Sequence, residues 1–87
     1  MIRKADFIIR EITGINVMVP VGATTQKFNG MIATTQTGAF IWNHIEEVNS
    51  AQEMADLIVE EFDVSYEQAL KDVQGVFDNF TKAGWIE

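Results

Sequence analysis

The sequence predicts an α+β domain in which a three-stranded antiparallel sheet is followed by three helices. Three observations lead to this prediction. The first third of the chain contains short β-branched and aromatic runs separated by turn residues. The remainder has apolar residues at spacings of three and four, with helix-capping motifs between them. The 87 residues have room for one core, so residues 1–87 are expected to form a single domain.

The strands are predicted from three apolar runs. Residues 7–13 and 17–21 flank a Gly-Ile-Asn sequence at 14–16 that can supply a hairpin turn. Residues 28–33 form the third candidate strand, after a polar loop. Gly30 within this run suggests a bulge or a close approach by another backbone.

The helices are predicted from their caps and apolar stripes. Thr35 or Thr37 can cap the first helix, which is expected to end at Asn49. Capping boxes at Ser50 and Ser65 start the second and third helices. Gly84 is a suitable C-terminal stop for the third helix. At the start of the same helix, Tyr66 is expected to point inward. The residues expected to form the core are Val19, Ile41, Ile45, Leu57, Ile58, Leu70, Val73 and Phe77.

The second and third helices are joined by about four residues, a length typical of a helix-turn-helix. Together with the preceding strands, this connection predicts a winged helix-turn-helix-like arrangement. Such a layout suggests a transcription regulator that binds DNA as an alternative function. The third helix, however, has a net charge of −1 over residues 66–83, which counts against docking on phosphate.

Composition narrows the classes of function. Thirteen acidic residues against six basic ones give a net charge of −7, which makes nucleic acid and anionic membranes poor partners. The absence of Cys excludes disulfides and thiolate chemistry. No apolar run reaches the length of a signal core or a membrane span, so a cytoplasmic domain is expected.

No catalytic, metal or cofactor site is predicted, and the chain is not expected to be an enzyme. His44 is the only histidine, and Glu47 offers it at best one partner for a metal. The glycines are never clustered as in a phosphate-binding loop. The many acids between residues 46 and 67 alternate with apolar positions and are interpreted as a solvated face.

A peptide-binding function agrees better with the sequence than DNA binding or catalysis does. The third predicted strand carries no charge, and an unpaired edge strand can accept an extended peptide as an additional strand. The residues alone leave open whether this strand lies at an edge or is covered by a helix.

Several short segments, in order along the chain, resemble the PqqD family of peptide chaperones named for coenzyme PQQ synthesis. The resemblance covers nearly the whole chain and rests on residues 6–12, 19–22, 28–32, 37–42, 62–64, 72–73 and 84–86, with Phe77. It implies a winged-helix-like fold that recognises the leader segment of a ribosomally made, post-translationally modified peptide. It further implies presentation to a modifying enzyme, often a radical S-adenosylmethionine (SAM) enzyme, without catalysis or a cofactor of its own.

The resemblance places the leader against the third strand and the third helix. Gly75 in the middle of that helix costs about 1 kcal/mol relative to Ala. Close approach by a ligand or by a neighbouring element would explain this glycine, and a chance surface glycine is the alternative. Lys71 or Lys82 is expected to meet an acidic leader residue. The predicted peptide-binding residues are Phe28, Asn29, Gly30, Met31, Ile32, Ala33, Thr34, Lys71, Val73, Gly75, Val76, Phe77 and Phe80.

Overall fold

A computed structural model describes residues 1–28 and 30–87. Within these residues the sheet precedes the helices, which confirms the predicted α+β architecture. Two short 3-10 helices interrupt the order, at Gly22–Gln26 and Ile45–Glu47. The strands and α-helices are β1 (Phe7–Ile12), β2 (Ile15–Pro20), β3 (Ile32–Thr34), α1 (Gln36–His44), α2 (Ala51–Glu61) and α3 (Tyr66–Lys82).

The sheet is antiparallel throughout, in the order β1-β2-β3. The hairpin between β1 and β2 turns on two residues, Thr13 and Gly14, rather than on the predicted residues 14–16. Both have positive φ angles, 53° and 79°, as a type I′ turn requires. The tight turn lengthens β2 backwards to Ile15 and fixes its register against β1.

The third strand is shorter and later than predicted. Pairing with β2 begins at Ile32, so the prediction of a strand from residue 28 was wrong for its first part. Phe28 instead packs into an aromatic cluster with Phe7 and Trp85, both at 5.7 Å between ring centroids. Gly30 precedes the strand with a φ of 94°, so it is not a bulge within it. Asn29 lies outside the described residues.

The helix caps agree closely with the sequence. The hydroxyls of Thr35, Ser50 and Ser65 accept the backbone N–H three residues later, at 2.9, 3.2 and 3.2 Å. The first α-helix stops at His44, and a 3-10 turn carries the chain on to Glu47. Gly84, with a φ of 79°, follows the end of α3 as predicted.

The core lies between one face of the sheet and the three helices. Ile41, Ile45, Ile58, Val73 and Phe77 are buried as predicted. The largest fully buried side chains are Trp42, Met18, Ile41, Ile45, Met54, Ile58 and Val73.

Four residues that the sequence predicts to point into the core are not fully buried. Leu57 and Leu70 are only half-buried at the border of the core, and Tyr66 is 40% exposed. Val19 is also half-buried, because Met18 rather than the flanking valines faces the helices. A shift of one residue exchanges the two faces of a strand, so Val17 and Val19 lie on the face opposite Met18, where Val17 is nevertheless buried.

Two contacts fix α1 against the sheet. The indole N–H of Trp42 donates to the carbonyl oxygen of Phe7 at 3.1 Å. Gly38 lies so close to Thr34 that a Cβ at this glycine would overlap the Thr34 hydroxyl. The N-terminus of α1 therefore holds the end of β3 in place.

Candidate peptide-binding edge

The edge of β3 is the first component of the candidate site. This strand pairs with β2 through Asn16–Thr34, Val17–Ala33 and Met18–Ile32. In the described part of the chain, no strand pairs with its other side. The sequence left open whether this strand lies at an edge or is covered by a helix. The structure places β3 at the edge of the sheet, with Ala33 exposed.

The register also tells which backbone groups face outward. A two-residue hairpin turn is closed by a hydrogen-bonded pair, here Ile12 and Ile15, and such pairs alternate along an antiparallel ladder. The backbone groups of Val17 therefore face β1, while those of Asn16 and Met18 face β3. On β3, Ile32 and Thr34 consequently face β2, and the N–H and C=O of Ala33 point to the free edge.

The side chains along this edge are uncharged. Ile32 is half-buried and packs against the core, whereas Ala33 is exposed. Met31, just before the strand, is 59% exposed. Charged side chains and proline are common protections of an edge strand, and β3 has neither.

A cleft lies between the region after β3 and α3, and we call it the α3 cleft. Its volume is about 460 Å³. Gly75 forms part of the α3 wall, where a Cβ would meet no atom within 4 Å. Val76 is half-buried beside it and gives the cleft an apolar surface. The residues that line the cleft are Thr35, Thr37, Lys71, Asp72, Gly75, Val76 and Asn79.

The charges of α3 are largely balanced near this cleft. Lys71 and Asp72 both line it, and the Asp72 carboxylate accepts from the Gln68 amide at 2.9 Å. Lys82 pairs with Asp78 at 3.0 Å, both exposed, so this lysine is already engaged with an acid of its own helix.

The predicted site residues on α3 fall into two groups. Lys71, Gly75 and Val76 line the cleft. The other three, Val73, Phe77 and Phe80, are at most 9% exposed and belong to the core. Their burial assigns them to the core that packs α3 against α2 and α1.

Sequence reasoning missed four residues that line the cleft. Asp72 and Asn79 lie seven residues apart, with Gly75 and Val76 between them, so they share one helical face. That spacing was a usable signal. Thr35 and Thr37 reach the cleft only because α1 begins directly beside β3, which the sequence does not reveal.

A second cavity, of about 300 Å³, lies beyond the C-terminal end of α3, and we call it the lysine cavity. It is bounded by the N-terminal segment, the first 3-10 helix and the residues after α3. The residues that line it are Lys4, Ala5, Asp6, Ala23, Thr24, Lys27, Phe28, Ala83, Gly84 and Trp85.

Groups with catalytic potential are sparse in the described ranges. The His44 ring contacts the Glu47 carboxylate at 2.7 Å on the surface. Across residues 1–28 and 30–87, no group of three or more His, Cys, Asp or Glu side chains could hold a metal ion. No helix among these residues is both long and apolar enough to cross a membrane.

Comparisons with known proteins agree with this fold. The model of a family described as coenzyme PQQ synthesis protein D (PqqD) matches residues 16–86. Among solved structures, the chain is similar to one described as TbiB1 in complex with the TbiA(beta) leader peptide, with 17% identity and a TM-score of 0.69. That match covers 100% of this chain and 95% of the other, and shows the same fold. No curated protein matches the chain significantly.

Proposed function

The chain belongs to the PqqD family, and on that premise we propose that it binds the leader segment of a ribosomally synthesised precursor peptide by strand addition at β3. It then presents the peptide to a modifying enzyme. In this mode, main-chain hydrogen bonds supply affinity and side-chain pockets supply specificity.

The observation that carries the proposal is the uncharged edge of β3 beside the α3 cleft. Ala33 offers an outward N–H and C=O, and its neighbours along the edge carry no charge. The cleft begins at Thr35, directly after β3, so we expect an extended peptide on this edge to place alternate side chains in it. Gly75 leaves room for close approach, and Val76 offers an apolar contact.

The similar structure supports binding of a leader peptide. It has this fold over the whole length of the chain, and its description places a leader peptide in complex with it. Transfer of that property to this chain is part of the proposal. The radical SAM class of the partner enzyme follows from the family resemblance and belongs to the proposal as well.

A DNA-binding function receives no comparable support. The lysines of α3 are matched by acids on the same helix, and Lys82 is paired with Asp78. The net charge of −7 opposes association with a duplex.

The test is a titration of the isotope-labelled domain with synthetic leader peptides encoded beside its gene, followed by backbone amide shifts. We expect shifts at residues 31–34 and 71–79. Shifts that cluster on α2 and spare both ranges would overturn the proposed site. Saturable, salt-sensitive binding of a duplex, with no binding of any leader, would favour the regulator.

Presentation is tested separately, with the modifying enzyme and the precursor peptide. The mass of the product is followed with and without the domain. Faster modification in its presence supports the proposal, and equal rates contradict it.

A further inference from the structure

The lysine cavity is the strongest feature that strand addition at β3 leaves unexplained. Of the six basic residues in the chain, Arg3 pairs with Glu46 and Lys82 pairs with Asp78. Among the described residues, no acid forms a salt bridge with the other four, which are Lys4, Arg10, Lys27 and Lys71. Lys4 and Lys27 line this cavity, with Asp6 as the only acid in its wall. A positively charged cavity is unusual on a protein of net charge −7.

The wall between the lysines is aromatic. Phe28 and Trp85 form it, with their ring centroids 5.7 Å apart and their planes at 78°. The indole N–H of Trp85 is buried and has no acceptor among the described residues. The cavity thus combines an aromatic wall with two cations, which suits a side chain with a carboxylate.

The cavity lies within reach of a peptide bound at β3. Phe28 is four residues before the strand, and Ala83 directly follows α3. Gly75 in the α3 cleft and Gly84 in the cavity are nine positions apart along the chain. These positions span about 14 Å if helical throughout, at about 1.5 Å per residue. An extended peptide covers that distance with roughly four residues.

We propose that the lysine cavity binds an acidic side chain of the precursor peptide, about four residues from the one that packs on Val76. The inference rests on the proposed function. It transfers the acid-binding role expected of Lys71 or Lys82 to Lys4 and Lys27. It also orders the bound peptide along α3, with the apolar residue at the middle of the helix and the acidic residue beyond its C-terminal end.

The first experiment uses a leader peptide that binds in the titration above, with each Asp or Glu replaced singly by Asn or Gln. One replacement is expected to weaken binding about two- to fivefold, the range of an exposed ion pair. In the double variant Lys4→Gln/Lys27→Gln, the same replacement in the peptide should not weaken binding any further. Lys82→Gln is the matched control, because it lies outside the cavity and should leave the effect of the replacement intact.

Additive effects of the peptide and protein substitutions would overturn the inference while leaving leader binding in place. Unchanged affinity of the double variant would overturn it too, and would direct attention to a protein partner. If the parent protein binds no leader peptide at all, the proposed function itself is refuted.

The second experiment does not depend on the leader. The domain is titrated with 3-phenylpropionate and with 3-phenylpropionamide, which differ only in the carboxylate. We expect the acid to shift the amides of Lys4, Lys27 and Gly84 and the Trp85 indole N–H, and the amide compound to shift them much less. Equal responses, or an acid response that persists in Lys4→Gln/Lys27→Gln, would contradict a carboxylate site.

Discussion

The two edges of the sheet differ more than any other pair of comparable elements in this domain. On β1, a strand of six residues, Arg10 and Glu11 are charged and exposed. On β3, a strand of three residues, there is no charge, and the α3 cleft lies nearby. Both strands pair with β2 on one side only, within the described residues.

The difference teaches that edge position alone does not make a binding site. Every edge strand exposes unpaired backbone groups, and proteins commonly protect them with charged side chains. The β1 edge has this protection. The β3 edge lacks it and lies beside a cleft, so we interpret its exposure as functional rather than tolerated.

The largest expected effect concerns the core beneath both edges. Ile45 is 0% exposed, and Ile45→Ala should lower the free energy of unfolding by about 2–5 kcal/mol through lost burial and a cavity. Both edges should lose their order together. Urea denaturation measures the change. Ile2→Ala, at a residue 61% exposed, is the control and should stay within about 0.5 kcal/mol of the parent. Equal stabilities would show that the core assignment is wrong.

The next prediction separates the edges directly. Ala33→Pro removes an outward N–H and places a ring on the free side of β3, while leaving the bonds to β2 intact. Leader affinity should fall about tenfold or more, measured by calorimetry, since a main-chain bond is lost and the approach is blocked.

Glu11→Pro is the matched control for that variant. Pairing alternates along β1, so the N–H of Glu11 also points away from β2. Its removal should leave leader affinity unchanged. Melting temperatures of both variants establish that each is folded. Equal losses of affinity in the two would contradict a site confined to β3.

A smaller effect, with opposite signs for stability and binding, is expected at Gly75. Because a Cβ there meets open space, Gly75→Ala should stabilise the domain by about 0.4–1 kcal/mol. A peptide packed on the bare backbone should bind at least about fivefold more weakly, since overpacking costs about 1–3 kcal/mol. Gln74→Ala, on the same helix but outside the cleft lining, is the control. If Gly75→Ala binds the leader as tightly as the parent does, the glycine has no role in peptide binding.

The smallest effect tests the protection of β1. The double variant Arg10→Thr/Glu11→Thr keeps the net charge at −7 and leaves an uncharged edge. We expect weak self-association that the parent does not show at the same concentration, measured by sedimentation velocity. Leader affinity should not change. Identical sedimentation of variant and parent would show that these charges do not protect the edge.

Local signals predicted much of the fold. The caps at Ser50 and Ser65 placed the starts of α2 and α3 correctly, because a capping hydroxyl acts within one turn. The β3 assignment was less accurate, because Phe28 is apolar in either setting. Only tertiary packing decides that it joins the aromatic cluster and not the strand.

The site was predictable only in part. An uncharged third strand and a glycine within α3 are visible in the sequence, and both are features of the candidate site. The approach of Thr35 and Thr37 to α3, and of Lys4 to Lys27, depends on how distant segments fold together. No spacing rule along the chain encodes those neighbours.

The contact between Gly38 and Thr34 has a consequence for hydrogen exchange. A strand of three residues gives its own amides little protection, and β3 is braced by the first turn of α1. The two segments should therefore open as one cooperative unit. In native-state exchange, the amides of Ile32 and Ala39 should share one opening free energy, and peptide on the β3 edge should slow both by the same factor.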